Sequence, residues 1–328
     1  MMAKKKVDVV RMHECSLKSG IRRSAEFEKK TLAEFAVNVG TKCGHDCTYC
    51  SSGAMLRMHQ SFRETGEDPF GRGYAIVDPE MPGKVAKDAA GKRHRGKVML
   101  CTTVDAWCPA AQQHGLGRKC LEAILAEPDW SVRILTKNAA VAKDFDVIEK
   151  HRDRVQVSLS ITANPDMAGA MAVIEPNASS IPERMAALEE AKRLGLRTYA
   201  MLCPLLPGIA NTPKQLQELV GFAKKIGAEE VFAEPVNARG PGLRNTEEAL
   251  RAAGYENEAD AICAVRTRRN WSQYTVKLIA DLQHALRKRG MIDKLRFLLY
   301  SSGLTEQDEA IIRKDDEGVI WLGTKKVS

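Results

Sequence analysis

Aromatic side chains make up only 5% of the 328 residues. That is too few rings to build base-stacking platforms within the basic runs. No apolar stretch approaches the roughly twenty residues that a transmembrane helix needs, so no membrane span is expected. The opening MMAKKKVDVVRMHE has lysines but no apolar segment behind them, which argues against a secretory signal. A disulfide framework is also missing. The cysteines number nine, an odd count, and three of them crowd into eight residues. That usage fits a reducing compartment, so a cytoplasmic protein with a metal or thiol site is expected. No internal repeat of fixed period is evident. What is present is a 44% apolar fraction, enough for a sizeable core and against wholesale disorder. The length allows one large α/β barrel-type domain or two ordinary ones. The net charge of +8 mildly favours a polyanionic partner.

Short apolar runs alternate with helical patterns. Phe35–Val39, Val98–Thr102, Val132–Thr136, Val155–Ile161, Thr198–Cys203 and Glu230–Val236 read as strands buried on both faces. Helical patterns follow at His114–Glu127, Ala139–His151, Pro182–Leu194 and Pro213–Ile226. Pro182 and Pro213 fall where a first turn tolerates proline, and Gly195 and Gly227 fall where C-caps do. Strand then helix, six times, means parallel strands. The expected fold is α/β: a partial (β/α)6 TIM-type barrel or an open doubly wound sheet. The division expected is a basic N-terminal arm over 1–30, a core over 31–240 and a mainly helical extension over 241–328. Residues 51–97 read as a long Gly- and Pro-rich loop, functional or disordered. A last strand-like run lies at Phe297–Tyr300.

Reactive groups in such folds gather beyond the C-terminal strand ends. Cys43, Cys101, Lys137, Ser158, Ser160, Cys203, Glu234, Asn237 and Arg239 all fall at or near those ends. The strongest motif is Cys43-Gly-His-Asp-Cys47-Thr-Tyr-Cys50, spaced C-x3-C-x2-C. Three thiolates on one loop can hold three corners of an iron–sulfur cubane and leave one iron open. The alternative is a zinc site completed by His45, His59 or another Cys, but zinc motifs usually carry a second cysteine pair, and none follows here.

This motif, with Tyr49 before its last cysteine and a strand ahead of it, resembles that of the radical S-adenosylmethionine (SAM) enzymes. More narrowly, the chain resembles the spore photoproduct lyase-like, or DNA repair photolyase-like, group. The similar stretches include EFAVNVGTKCGHDCTYC, LCTTVD, LGRKCLEAIL, ILTK, VSLSIT and IEPNASS with Arg184, and run to Pro207. The resemblance implies a partial barrel of the radical SAM kind. It implies a [4Fe–4S] cluster on Cys43, Cys47 and Cys50. SAM would chelate the open iron and yield a 5′-deoxyadenosyl radical that abstracts a substrate hydrogen. Tyr49 would lie against adenine, Lys137 would meet the SAM carboxylate, and Ser160 would stand near SAM. Cys101 would return a hydrogen atom to the product radical. Repair of a DNA photolesion is the implied reaction, and an electron donor such as flavodoxin or ferredoxin the implied partner.

Beside that reading stand plainer ones. Cys101 could be a buried strand residue, since free cysteine often is. Cys203, ending the fifth strand, is a second hydrogen-donor candidate. Ser158 lies with Ser160 on the fourth strand. Asn237 and Arg239 after the sixth strand are candidates to meet SAM or substrate. The basic runs at Lys84–Lys97 and Arg266–Arg269 attract phosphate without specifying anything. Other functions left open are radical SAM modification of a small molecule, peptide or RNA, and a non-enzymatic, metal-stabilised nucleic-acid-binding module.

Overall fold

The computed structural model describes residues 10–238 and 240–323. Parallel strands alternate with helices along nearly the whole chain. The strands are β1 (Phe35–Val37), β2 (Lys97–Leu100), β3 (Ser131–Thr136), β4 (Val155–Leu159), β5 (Ala200–Leu205), β6 (Val231–Pro235), β7 (Leu295–Tyr300) and β8 (Val319–Leu322). Between them run α1 (Met81–Gly91), α2 (Leu116–Leu125), α3 (Phe145–Lys150), α4 (Ile181–Arg193), α5 (Pro213–Lys225), α6 (Arg268–Lys288) and α7 (Glu306–Ile312). From β1 to β4, and again from β5 to β8, each strand pairs in parallel with the next in chain order. One step is irregular. Arg197–Thr198 pairs with β4, the chain turns at Tyr199, and β5 then pairs with β6. A single bridge, Ser160 to Met201, ties β4 to β5. Among the described residues no pairing joins β8 back to β1, so the barrel is partial. The two-residue strand Arg22–Arg23 instead pairs antiparallel with the outer edge of β1.

The sequence placed six strands in this sheet, and the structure has eight. The run at Phe297–Tyr300 becomes β7, and β8 follows it, both parallel to β6. The stretch after residue 240 is therefore helical for most of its length yet extends the sheet. Helix ends follow local chemistry. Ser180 with Glu183, and Thr212 with Gln215, form reciprocal capping boxes ahead of prolines in the first turn. The glycines after α4 and α5 take positive φ, 70° at both Gly195 and Gly227.

Strand alternation divides the core in two. Val37, Val98, Leu100, Val132, Ile134, Val155 and Val157 face outward into the large core that holds the helices. Met99, Leu135, Tyr199, Met201, Phe232 and Leu298 pack together inside the barrel. The floor of that interior is polar. Buried Arg133 donates to Gln156 Oε1 (2.8 Å) and to Glu230, and its guanidinium sits 4.8 Å from the Tyr199 ring centre. A buried arginine held this way closes the lower end. The upper end, at the strand C-termini, is where the open space lies.

The stretch read as a loop over 51–97 is structured. It holds helices Ser52–Leu56 and Gln60–Thr65, strand Tyr74–Val77 and α1. Tyr74–Val77 is the centre of a small sheet, flanked by Arg11–Glu14 and Gly40–Lys42. The described part of the expected N-terminal arm is thus paired into the fold rather than trailing from it. Among the described residues no helix is long and apolar enough to cross a membrane.

Candidate functional site

The cysteine loop begins where Gly40–Lys42 leaves the small sheet. Gly40 has no room for a side chain: a Cβ there would stand 2.1 Å from the Ile76 carbonyl oxygen. The loop then bends through two left-handed residues, Gly44 (φ 69°) and Asp46 (φ 56°). Distant segments hold it. Asp46 accepts from the Gly73 N–H (2.8 Å), and Asn177 Nδ2 donates to the Gly44 carbonyl (3.0 Å). The Thr48 N–H donates to the Ile174 carbonyl (2.9 Å). Gly242 lies flat against Tyr49, where a Cβ would meet its carbonyl oxygen at 2.8 Å.

The loop presents Cys43, Cys47 and Cys50, all half-buried, to one cleft of about 160 Å³. Burial pushes the Cys43 thiol up to about 11, and burial followed by the nearby Glu175 charge pushes the Cys47 thiol well above its ordinary value. Tyr49, Cys101, Lys137 and Ser160 line the same cleft. Lys137 Nζ lies 5.9 Å from the Tyr49 ring centre.

Tyr49 is anchored from below. Its hydroxyl donates to Glu175, which also receives the Arg184 guanidinium. All three are buried. Burial works to raise the Glu175 carboxyl, but the Arg184 and Lys137 charges outweigh it and hold the group below its ordinary value. The sequence marked this stretch without giving Glu175 or Arg184 a role. Its only signal is a Glu directly after the apolar end of a helix, with an Arg nine residues on.

The other wall follows β1 and β2. Asn38 Oδ1 accepts the N–H groups of Thr102, Thr103 and Val104 (3.0, 2.8 and 3.2 Å). Asp105 accepts from Thr136 Oγ1 and the Lys137 N–H, both at 2.8 Å, and so joins the ends of β2 and β3. Buried His45 faces Asp105 at 3.6 Å, beyond a hydrogen bond. Cys101 sits in this turn at φ 76°, a left-handed conformation rare for a side-chain-bearing residue. It is 5% exposed, and the Ala106 N–H points at its sulfur. Burial, then the Asp105 charge, pushes the thiol well above its ordinary value, so it keeps its hydrogen at neutral pH.

The remaining candidates lie elsewhere. Ser158 is one layer below Ser160, fully buried, with its hydroxyl on the Leu159 carbonyl (3.4 Å). It does not line the cleft, because the bulge-free strand puts it deeper in the barrel. Cys203 packs half-buried on the barrel's inner cluster, near Glu234, Lys137 and Lys30. Asn237 lines a second cavity, of about 340 Å³, with Glu234, Arg266, Arg268 and Trp271. Arg239 lies outside the described residues. Cys108 and Cys120 are fully buried, one capping the helix Pro109–Gln113 and the other on the packed face of α2.

The donor set suits a cluster. Among the described residues no three His, Cys, Asp or Glu side chains converge on a single point. Cys43, Cys47 and Cys50 border one cleft, and thiolates so placed could hold three corners of a cluster.

Residues 37–223 match the Radical SAM superfamily. An uncharacterized protein of Acidianus two-tailed virus is 26% identical over 225 residues, covering 66% of this chain and 71% of that protein. An uncharacterized protein of Methanocaldococcus jannaschii is 24% identical over 190 residues, covering 58% and 67%. Structures of spore photoproduct lyase variants, one with bound AdoMet and dinucleoside spore photoproduct, superpose with a TM-score of 0.50 at 18% identity. They align with 73% of this chain, which spans 66% of theirs, and at that identity they speak to the fold alone. The family match extends over more than half of the chain, which therefore belongs to the radical SAM superfamily of enzymes, a family that implies a [4Fe–4S] cluster and SAM.

Proposed function

We propose that this radical SAM enzyme abstracts a hydrogen atom from a damaged nucleic-acid base, and that Cys101 returns a hydrogen atom to the product. The observation that carries the reading is the Cys101 thiol in the same cleft as the three cluster cysteines. When bound, the cluster and SAM supply a 5′-deoxyadenosyl radical that breaks a substrate C–H bond. Cys43, Cys47 and Cys50 would hold the cluster. Tyr49 and Lys137, which face each other in the same cleft, would receive SAM's adenine and carboxylate, with Ser160 alongside. The electron would come from a small donor such as flavodoxin or ferredoxin.

Cys101 suits the return step. A thiol S–H bond is weak, and burial keeps this one protonated. Transfer of the hydrogen forms a substrate C–H bond and breaks S–H. The thiyl radical left behind takes one hydrogen atom from a thiol reductant, so 5′-deoxyadenosine accumulates as a product. Cys203, outside the cleft, is the weaker candidate on this geometry. The net charge of +8 supports a polyanionic substrate, and extruding a base suits a site at a barrel mouth. The lyase structure with bound dinucleoside spore photoproduct supports seeking the substrate first among photolesions.

The test compares wild type with Cys101→Ala on ultraviolet-irradiated and untreated DNA. The reading expects 5′-deoxyadenosine from both enzymes, stimulated by the irradiated DNA, and an altered or stalled product from the variant. A variant with wild-type product would end the Cys101 role. Equal turnover with untreated DNA would end the photolesion substrate.

A further inference from the structure

A second opening lies at the same end of the sheet as the cysteine cleft. It is a cavity of about 340 Å³ where β6 and β7 end and α6 begins. One wall is cationic. Arg266 and Arg268 flank Thr267, the N-cap of α6, whose hydroxyl takes the Asn270 N–H (3.3 Å). Each arginine is held by one end only. Arg266 Nη1 bonds Glu247 (3.0 Å), and Arg268 Nη2 bonds the Leu304 carbonyl. A guanidinium has five N–H donors, so each has others to offer the cavity. Another wall is a fixed ring. Trp271 donates from Nε1 to the Val236 carbonyl (2.8 Å) and is 8% exposed. Gly303 lies so close to one side of the ring that a Cβ would meet it at 2.5 Å.

Cys203 stands within electrostatic reach of Glu234, which lines the cavity, and of Lys137, which lines the cleft. Glu234 in turn faces Lys30, a mostly buried ammonium that also lies 5.3 Å from the Tyr300 ring centre. Lys30 thus offsets part of the Glu234 charge, and Arg266 and Arg268 bring two guanidinium groups to the cavity, the first of them paired with Glu247.

We infer that this cavity is the substrate chamber and that it takes one nucleotide unit, its phosphate against Arg266 and Arg268 and its base against the Trp271 wall. Paired arginines match phosphate geometry, and a rigid aromatic wall matches a planar base. The inference rests on the nucleic-acid reading above and locates it on residues outside the cluster cleft.

Anaerobic calorimetry on the reconstituted enzyme with SAM, without reductant, separates the contributions. The ligands are thymidylyl-thymidine and its neutral methylphosphonate analogue, which keeps the shape and removes the charge. The inference expects saturable binding of the first and binding about tenfold weaker for the second, the scale of a charge-assisted hydrogen bond. Arg266→Gln or Arg268→Gln should weaken the charged ligand by about tenfold and leave the neutral one unchanged. Iron content per chain checks that each variant is folded, and Arg268→Lys should recover part of the loss. Equal affinity for the two ligands, or charge-dependent binding that ignores both arginines, overturns the chamber. So does the absence of binding by an enzyme that still converts SAM to 5′-deoxyadenosine, a result that leaves the radical SAM assignment standing.

Discussion

At the scale of single residues, the site is a set of long-range partners around a short motif. The three motif cysteines were legible because they lie within eight positions of one another. Lys137 and Ser160 were legible because they fall at the C-terminal ends of the third and fourth apolar runs, where reactive groups gather. The partners of Tyr49 were not, because Glu175 lies 126 positions away and only folding brings it near. Glu175 and Arg184 form a buried ion pair, and removing one member strands the other charge. Glu175→Ala or Arg184→Ala should therefore cost about 3–5 kcal/mol in urea unfolding. The double variant Glu175→Leu/Arg184→Met should recover part of that stability, yet bind SAM more weakly because the Tyr49 ring is no longer anchored. Single variants within about 1 kcal/mol of wild type, the range of exposed pairs, would mean that the pair is solvated rather than buried.

At the scale of elements, the strand–helix alternation was readable from apolar runs, β-branched residues and caps. Three features were not. The fifth strand splits at Tyr199, whose hydroxyl turns inward to the Ile134 carbonyl (2.8 Å), and no local pattern marks that change of partner. β8 is four residues long at the far end of the chain. Tyr74–Val77 is buried on all sides, but its partner Arg11–Glu14 is polar and exposed and so does not read as a strand. That small sheet aims the cysteine loop, which gives Gly40 a measurable role. Gly40→Ala sets a Cβ 2.1 Å from the Ile76 carbonyl oxygen, and backbone must shift to relieve it. The expected cost is about 1–3 kcal/mol in unfolding free energy, as for other overpacked sites. Less iron should also be retained per chain after reconstitution. Wild-type stability together with full iron content would detach the small sheet from cluster binding.

At the scale of the whole molecule, one end of the barrel is closed and the other holds the candidate site. Arg133, Gln156 and Glu230 close the lower end, while the cleft and the 340 Å³ cavity open above. Two C-terminal strands widen the sheet beyond the six units that the alternation implied, and β7 with the turn after it brings Leu298, Tyr300, Ser302 and Gly303 to the cavity wall. Phe297–Tyr300 read as strand-like and Arg266–Arg269 as a basic run, but only folding brings them together with Glu234 and Asn237 around one cavity. The central claim, that the three-cysteine loop makes this chain a SAM-cleaving enzyme, meets its most direct test in one anaerobic assay. The protein is reconstituted with iron and sulfide, reduced with dithionite and given SAM, and 5′-deoxyadenosine is quantified beside a Cys43→Ala/Cys47→Ala/Cys50→Ala control. The account predicts 5′-deoxyadenosine from the wild type and none from the control. A wild-type protein that binds its full complement of iron and sulfide, accepts the electron and leaves SAM intact, with or without nucleic acid, would contradict it.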